Sequence, residues 1–281
     1  MTQKLKIKEI QCKSAIGKCG FPGGGFAINP YVGCAHACRY CYGRFIKRFT
    51  GHQEPWGSFV DVRMNAAEVL EKQMKSPKFR GQQIYIGTVT DPYQPLETKY
   101  KLTRQILEVL INYDNPVVIM TKSALVLRDL DLLKKLKSPE VCFTIATLDE
   151  NWRKLSEPGS VSVKARLGAA KKLVSYGIKV EAMMGPFWPY FTDPEKLLPE
   201  FKKAGIAKVH TESLNTIGGN FTGVEMVLKQ NYPKLLPEFK KIFFQPGEFY
   251  KFYDTAKQQI ELLSKKYLIP TTIHFGRGHA R

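Results

Sequence analysis

The class of fold follows from one segment, which reads Asn29-Pro30-Tyr31-Val32-Gly33-Cys34-Ala35-His36-Ala37-Cys38-Arg39-Tyr40-Cys41-Tyr42. It holds three of the six cysteines of a 281-residue chain. A chain of this length does not need disulfides to fold, so clustered cysteines indicate a metal site. Three thiolates on one loop can bind three irons of a four-iron cluster and leave the fourth iron open to a small molecule.

Two alternatives for these cysteines stay open on spacing alone. His36 could join the three thiolates as a fourth ligand to zinc, although ligands two residues apart crowd a tetrahedral ion. The thiols could also be reduced and buried without any function. The remaining cysteines are scattered, and no pattern assigns a role to Cys12, Cys19 or Cys142.

Outside this segment, short apolar runs alternate with longer amphipathic stretches. Strands are predicted at residues 26–32, 83–89, 116–120, 141–146, 178–184 and 206–211. Helices are predicted near 65–75, 103–113, 125–136, 163–176, 194–204 and 248–266, with a short strand near 271–275. Strands that alternate with helices predict an α/β fold with a parallel sheet, either a TIM-type barrel or a doubly wound sheet.

Three regions are expected along the chain. Residues 1–25 contain a run of glycines and little periodicity, which predicts a loop-rich leader. Residues 26–212 hold the predicted βα units and form the core. Residues 213–281 are rich in aromatic residues and proline, and we expect a C-terminal extension packed on that core.

The spacing Cys-x3-Cys-x2-Cys, with Tyr40 just before the last cysteine, resembles the signature of radical S-adenosylmethionine (SAM) enzymes. Three further stretches resemble the spore photoproduct lyase-like branch of that superfamily, often labelled DNA repair photolyase: residues 87–97, residues 121–130, and Glu157-Pro158 together with Arg166-Leu167. The resemblance runs from about residue 12 to residue 211. It implies a partial (β/α)6 TIM-type barrel, a [4Fe–4S] cluster on Cys34, Cys38 and Cys41, and a 5′-deoxyadenosyl radical made from SAM.

This resemblance makes polar side chains at strand ends candidates for binding SAM, because sites in such folds lie at the C-terminal ends of strands. Carboxylates and hydroxyls could accept hydrogen bonds from the ammonium group of SAM, and cations could meet its carboxylate. Adenine could stack on a methionine. The candidates are Tyr40, Thr88, Thr90, Asp91, Lys122, Thr147, Arg166 and Met184. Several have structural alternatives, such as a helix cap at Asp91, an ion pair of Arg166 with Glu157 and core packing at Met184.

The net charge of +18 attracts polyanions, nucleic acid above all, although a lysine-rich surface is the alternative. Behind the cysteines, Arg44, Lys47 and Arg48 alternate with aromatic residues, a pattern that can bind phosphates and stack bases. An amphipathic helix with its aromatic residues inward would explain the same pattern. No transmembrane run or signal peptide is recognisable, so we expect a cytoplasmic protein without a membrane partner.

The expected function is that of a radical SAM enzyme acting on nucleic acid, by repair or modification, with an electron donor such as ferredoxin or flavodoxin. The alternatives are a radical SAM enzyme acting on a small molecule or peptide, and a zinc-stabilised nucleic-acid-binding module without catalysis. In spore photoproduct lyase, a cysteine near the end of the second strand is thought to donate a hydrogen atom. Residues 83–93 contain no cysteine, so we do not expect a true spore photoproduct lyase.

Overall fold

The computed structural model describes residues 5–21 and 23–277. The strands in these residues are β1 (Lys6–Ile10), β2 (Ile16–Lys18), β3 (Phe26–Ile28), β4 (Tyr31–Gly33), β5 (Phe59–Arg63), β6 (Ile84–Ile86), β7 (Pro116–Thr121), β8 (Ser138–Thr144), β9 (Lys179–Met184), β10 (Lys208–Glu212) and β11 (Thr271–His274). The helices are α1 (Lys47–Thr50), α2 (Ala66–Met74), α3 (Glu97–Tyr100), α4 (Leu102–Leu110), α5 (Leu130–Leu133), α6 (Glu150–Ser156), α7 (Val163–Ser175), α8 (Pro194–Lys203), α9 (Asn220–Asn231), α10 (Leu236–Phe244) and α11 (Pro246–Tyr267).

The main sheet has eight strands in the order β11-β10-β9-β8-β7-β6-β3-β2. All neighbouring pairs from β3 to β11 are parallel, and β2 pairs antiparallel with β3. Helices connect the successive parallel strands, as a parallel sheet requires. The strands β2 and β11 stand at the two edges, so the sheet is open, and the predicted partial TIM-type barrel is confirmed.

A second sheet of three strands, in the order β1-β5-β4, lies beside the main one. One of its faces packs Tyr31, Val60 and Val62 against Leu96 and Leu102. The chain therefore leaves the main sheet after β3 and enters the small sheet at β4 within a few residues. The cysteine segment begins where β4 ends.

The two faces of the main sheet differ in polarity. The face covered by helices is mainly apolar, with exposures of at most 1% at Ile84, Ile86, Val117, Ile119, Val141, Phe143, Val180, Ala182 and Val209. The alternate positions face the inside of the curve and include a charged group. There, Glu181 lies 2.6 Å from Lys179 Nζ and 2.7 Å from His210 Nε2, and Lys179 also reaches Glu140.

Several elements differ from the sequence prediction. The leader, expected to be loop-rich, contains β1 and β2, which pair with β5 and β3. The predicted strand at 26–32 is divided at Pro30, because proline has no N–H to continue a ladder. The elements β5, α6, α9 and α10 were not predicted. The expected C-terminal strand is present as β11, and it extends the main sheet beside β10.

No helix among residues 5–21 and 23–277 is long and apolar enough to cross a membrane.

A histidine that packs against the small sheet carries two carboxylate contacts. The ring of His52 stacks on Phe59 at 3.8 Å, and its two nitrogens lie 2.9 Å from Glu54 and 3.0 Å from Asp61. Burial disfavours the charged ring, but hydrogen bonds and charges of the two carboxylates outweigh it and raise the pKa of His52.

We predict that His52 stabilises the fold most at acidic pH. A raised pKa means that the full contribution is present below the unfolded value of about 6.5 and is lost as pH rises through the folded value. The difference in urea midpoint between the wild type and His52→Gln should therefore shrink from pH 6 towards pH 9 (about the range in which a raised histidine titrates). A difference that is independent of pH would contradict this assignment.

Candidate active site at the cysteine loop

The cysteine loop, residues 34–41, lies against the C-terminal ends of β6 and β7. The hydroxyl of Thr90 donates to the Gly33 carbonyl at 2.6 Å, and the amide of Gln94 accepts from the Ala35 N–H at 2.8 Å. His36 Nδ1 lies 3.2 Å from a carboxylate oxygen of Asp91. The segment after β6 therefore fixes the loop through side-chain contacts to its backbone and to its histidine.

Two glycines bring distant parts of the chain onto the backbone of this loop. A Cβ at Gly159 would stand 2.2 Å from the Ala35 carbonyl oxygen, and one at Gly223 would stand 2.3 Å from that of Arg39. Only glycine, which has no Cβ, fits at these two positions. The turn between α6 and α7 and the first turn of α9 thus close over the loop.

The three thiols lie close enough to interact electrostatically. Burial raises the pKa of Cys34 to about 12, and it raises the pKa of Cys38 and Cys41 as well. Backbone N–H groups at His36 and Asp91 act in the opposite direction on Cys34. Buried thiols that receive N–H groups can release their protons when a metal binds, since the thiolate is the ligand.

Three cysteines on one loop are compatible with a cluster, in which each thiolate binds its own iron. Within the described chain, no three His, Cys, Asp or Glu side chains converge so that one ion could be held. His36, the fourth ligand in the zinc alternative, has its Nδ1 paired with Asp91. The cysteines that hold a cubane bind separate irons, so they need not converge on one point.

Tyr40 lies at the centre of a buried polar group. Its hydroxyl donates to Glu157, and its ring packs edge-on against Trp188 at 5.2 Å. Glu157 also accepts from Arg166 at 2.5 Å, and Lys122 Nζ lies 5.8 Å from the Tyr40 ring centre. Burial would raise the pKa of Glu157, but the charges of Arg166 and Lys122 lower it to about 2.

The eight candidates for SAM contacts fall into two sets in the structure. Tyr40, Lys122 and Arg166 lie together beside Cys38. Arg166 is 1% exposed and pairs with Glu157, which is the structural alternative considered for it, and it also donates to the carbonyls of Thr144 and Val161.

The other five candidates hold local structure. Asp91 accepts from the hydroxyl of Thr121 and from the N–H groups of Lys122 and Tyr93, and Met184 is fully buried in the core. The hydroxyls of three threonines bond to neighbours: Thr88 to Asn29, Thr90 to Gly33 and Thr147 to Phe191.

A cavity of about 410 Å³ opens beside the loop, directly after Cys41. One wall comes from the basic and aromatic residues expected to bind nucleic acid, with Arg44, Lys47, Arg48, Tyr42 and Phe45. The other lining residues are Trp56 and members of the segment 215–220, which ends in the first residue of α9 and includes Gly218 and Asn220. Sequence reasoning missed this second wall, because no local pattern relates residues 215–220 to the cysteines.

Comparison with known proteins agrees with this geometry. The Radical SAM superfamily model matches residues 28–193. An uncharacterised protein of Methanocaldococcus jannaschii is 40% identical over 204 residues, 72% of this chain and 75% of that protein. A radical SAM Nα-GlyT isomerase of Pseudomonas phage M6 is 22% identical over 217 residues, 76% of this chain and 44% of that protein. A solved spore photoproduct lyase mutant with bound AdoMet and dinucleoside spore photoproduct aligns with a TM-score of 0.69 at 16% identity, covering 97% of this chain and 82% of that one.

The family match and the open barrel define an enzyme that uses an iron–sulfur cluster. The chain belongs to the radical SAM superfamily, whose enzymes use a [4Fe–4S] cluster, SAM and an external reductant. The likeness to spore photoproduct lyase is a likeness of fold, as the sequence motifs predicted. The alternative of a zinc-stabilised module without catalysis is wrong.

We predict that replacing any one of Cys34, Cys38 and Cys41 with alanine removes the cluster, since methyl groups cannot replace thiolates as iron ligands. Anaerobically reconstituted wild type should carry about four irons per chain and absorb as a brown chromophore. The control is Cys142→Ala, which removes an equally buried thiol on β8 and should leave the iron content unchanged. Full iron content in all three loop variants would contradict the assignment.

We predict that Arg166→Ala destabilises the protein by about 3–5 kcal/mol, because it leaves the Glu157 carboxylate buried and unpaired. The double variant Arg166→Ala/Glu157→Gln removes both charges and should recover a large part of that loss. Denaturant unfolding of the four proteins in the cycle measures both effects. Equal losses in the single and double variants would mean that the ion pair is not the cause.

Proposed function

We propose that this radical SAM enzyme acts on nucleic acid, with Cys34, Cys38 and Cys41 as the ligands of its cluster. These three residues would hold the cluster, which would supply the electron for reductive cleavage of SAM and so the radical chemistry of the superfamily. The chain's own residues bind and orient the reactants and exclude water. The fit of the cysteine loop to a cluster, described above, supports this assignment.

Residues beside Cys38 are the best candidates to orient SAM. The Lys122 ammonium lies over the Tyr40 ring and is suited to a carboxylate ligand. Glu157 and Arg166 hold Tyr40 and the local charge in place. The other five candidates then act indirectly, through the backbone and core contacts that surround these residues. They are Thr88, Thr90, Asp91, Thr147 and Met184.

The observation that carries the nucleic-acid proposal is the segment that follows Cys41. Its aromatic side chains are not packed inward, since Tyr42 is 37% exposed, Phe45 39% and Phe49 75%. They alternate with Lys47 and Arg48, and Tyr42 and Phe45 border the cavity beside the cluster loop. Exposed rings and cations together bind single strands by stacking and by phosphate contact.

The relatives add support of a weaker kind. Solved structures of similar fold are of spore photoproduct lyase with dinucleoside spore photoproduct. The absence of a cysteine from residues 83–93 still argues for a different reaction on the substrate. We infer an acidic electron carrier, such as a ferredoxin or flavodoxin, as the reductant, because the surface near Cys41 is basic.

We predict that the enzyme binds single-stranded DNA or RNA with steep salt dependence. If about six phosphates are neutralised, affinity should fall about 10³-fold between about 50 and 200 mM salt. Lys47→Glu/Arg48→Glu should abolish binding and the formation of 5′-deoxyadenosine that depends on polynucleotide. The control is Lys171→Glu/Lys172→Glu, which makes the same charge change on the exposed face of α7.

The outcome also decides between the two substrate classes. If neither DNA nor RNA binds at low salt, the nucleic-acid proposal fails, and a small molecule or peptide becomes the substrate. If both double variants weaken binding equally, polynucleotide binding is due to general surface charge, and the segment after Cys41 is not the binding surface.

A further inference from the structure

The cavity beside the cysteine loop contains hydrogen-bond donors that have no partner. Asn220 borders it, is 3% exposed, and makes no side-chain hydrogen bond to any residue in the described part of the chain. Trp56 borders it too, and its indole N–H is buried without an acceptor among those residues. A buried donor without an acceptor costs about 1–3 kcal/mol, which applies here to the Trp56 N–H. Together with the unbonded amide of Asn220 at the same cavity, it indicates that a ligand supplies acceptors there.

The first turn of α9 adds further donors at the same place. The helix has 12 residues and begins after Gly219, and no side chain caps its first N–H groups. Gly218 and Gly219 both have left-handed backbones, with φ of 68° and 78°. Uncapped N–H groups at a helix N-terminus attract anions through hydrogen bonds and through the helix dipole.

The charges around the cavity have one sign. Arg44, Lys47 and Arg48 line it, and none of its lining residues is acidic. Arg48 Nη2 lies 3.7 Å from the position of a Cβ on Gly218, so its guanidinium stands next to the start of α9. Arg44 is fixed, because it donates to the carbonyls of Cys41, Arg39 and Gly219. Lys47 and Arg48 are thus the cations that can move towards a ligand.

We infer that this cavity is a phosphate-binding subsite formed by the N-terminus of α9, Asn220, Trp56 and Arg48. A phosphate has oxygens in four directions, which matches donors that come from a helix end, an amide, an indole and a guanidinium. This subsite rests on the proposed function, in which it holds the phosphate next to the reacting nucleotide. Tyr42 borders the same cavity and directly follows Cys41, so a phosphate held here places the attached nucleotide at the cluster.

Inorganic phosphate is the probe that tests the subsite without any nucleic acid or turnover. The holoenzyme is titrated by calorimetry at constant ionic strength, with chloride as the reference anion. Asn220→Asp keeps the size of the side chain and adds a negative charge inside the cavity, so phosphate affinity should fall about tenfold or more. Gln230→Glu makes the same amide-to-carboxylate change at the exposed far end of α9 and should leave affinity unchanged.

A second pair of variants addresses the cation. Arg48→Glu should abolish phosphate binding, while Lys229→Glu, an equal charge change at the other end of α9, should not. Tryptophan fluorescence of the wild type should respond to phosphate, and the response should be absent in Trp56→Phe.

The results separate this inference from the proposed function. No phosphate binding by the wild type, or equal affinity in Asn220→Asp and Gln230→Glu, overturns the subsite even if oligonucleotides still bind elsewhere. If phosphate binding behaves as expected and no polynucleotide binds, the subsite stands and holds the phosphate of a small substrate, and the nucleic-acid function falls.

Discussion

Direct contact between backbones holds this site together. The loop that carries Cys34, Cys38 and Cys41 touches the turn after α6 at Gly159 and the first turn of α9 at Gly223, both closer than any side chain permits. Hydrogen bonds join the same surfaces, from the Gly159 N–H to the His36 carbonyl at 3.0 Å and from the Arg39 N–H to the Ser156 carbonyl at 2.8 Å. The position of the cysteines therefore depends on helices that follow them by more than a hundred residues.

A buried charge network beside Cys38 also helps to hold the cysteine loop in place. Glu157, Arg166 and the Tyr40 hydroxyl satisfy one another in a region where an unpaired charge would be costly. A network of this kind adds little net stability over apolar packing, but it allows few alternative arrangements. Its value at this site is to hold the aromatic ring beside Cys38 in one orientation next to Lys122.

Much of the fold could be predicted because its signals are local. The six core strands are recognisable in the sequence as apolar runs, because their outer faces are buried under helices. The cysteine spacing is equally local and led directly to the loop. The small sheet was missed because β1 is largely exposed and lacks an apolar pattern, and because the sequence predicts β4 as the continuation of β3 in one strand. Asn220 and Trp56 could not be found either, because a shared cavity relates them only after the chain has folded.

Arg44 joins two regions of this site with one side chain. It donates to the carbonyls of Cys41 and Arg39 in the cysteine loop and to that of Gly219 at the start of α9. Two sites that share a rigid bridge influence each other's free energy, and the influence is reciprocal. A contact that orders the start of α9 therefore also restrains, through Arg44, the backbone around Cys41. Under the proposed phosphate site, filling the cavity would therefore also restrain the backbone of the cysteine loop, which would link the lifetime of the metal centre to the supply of substrate.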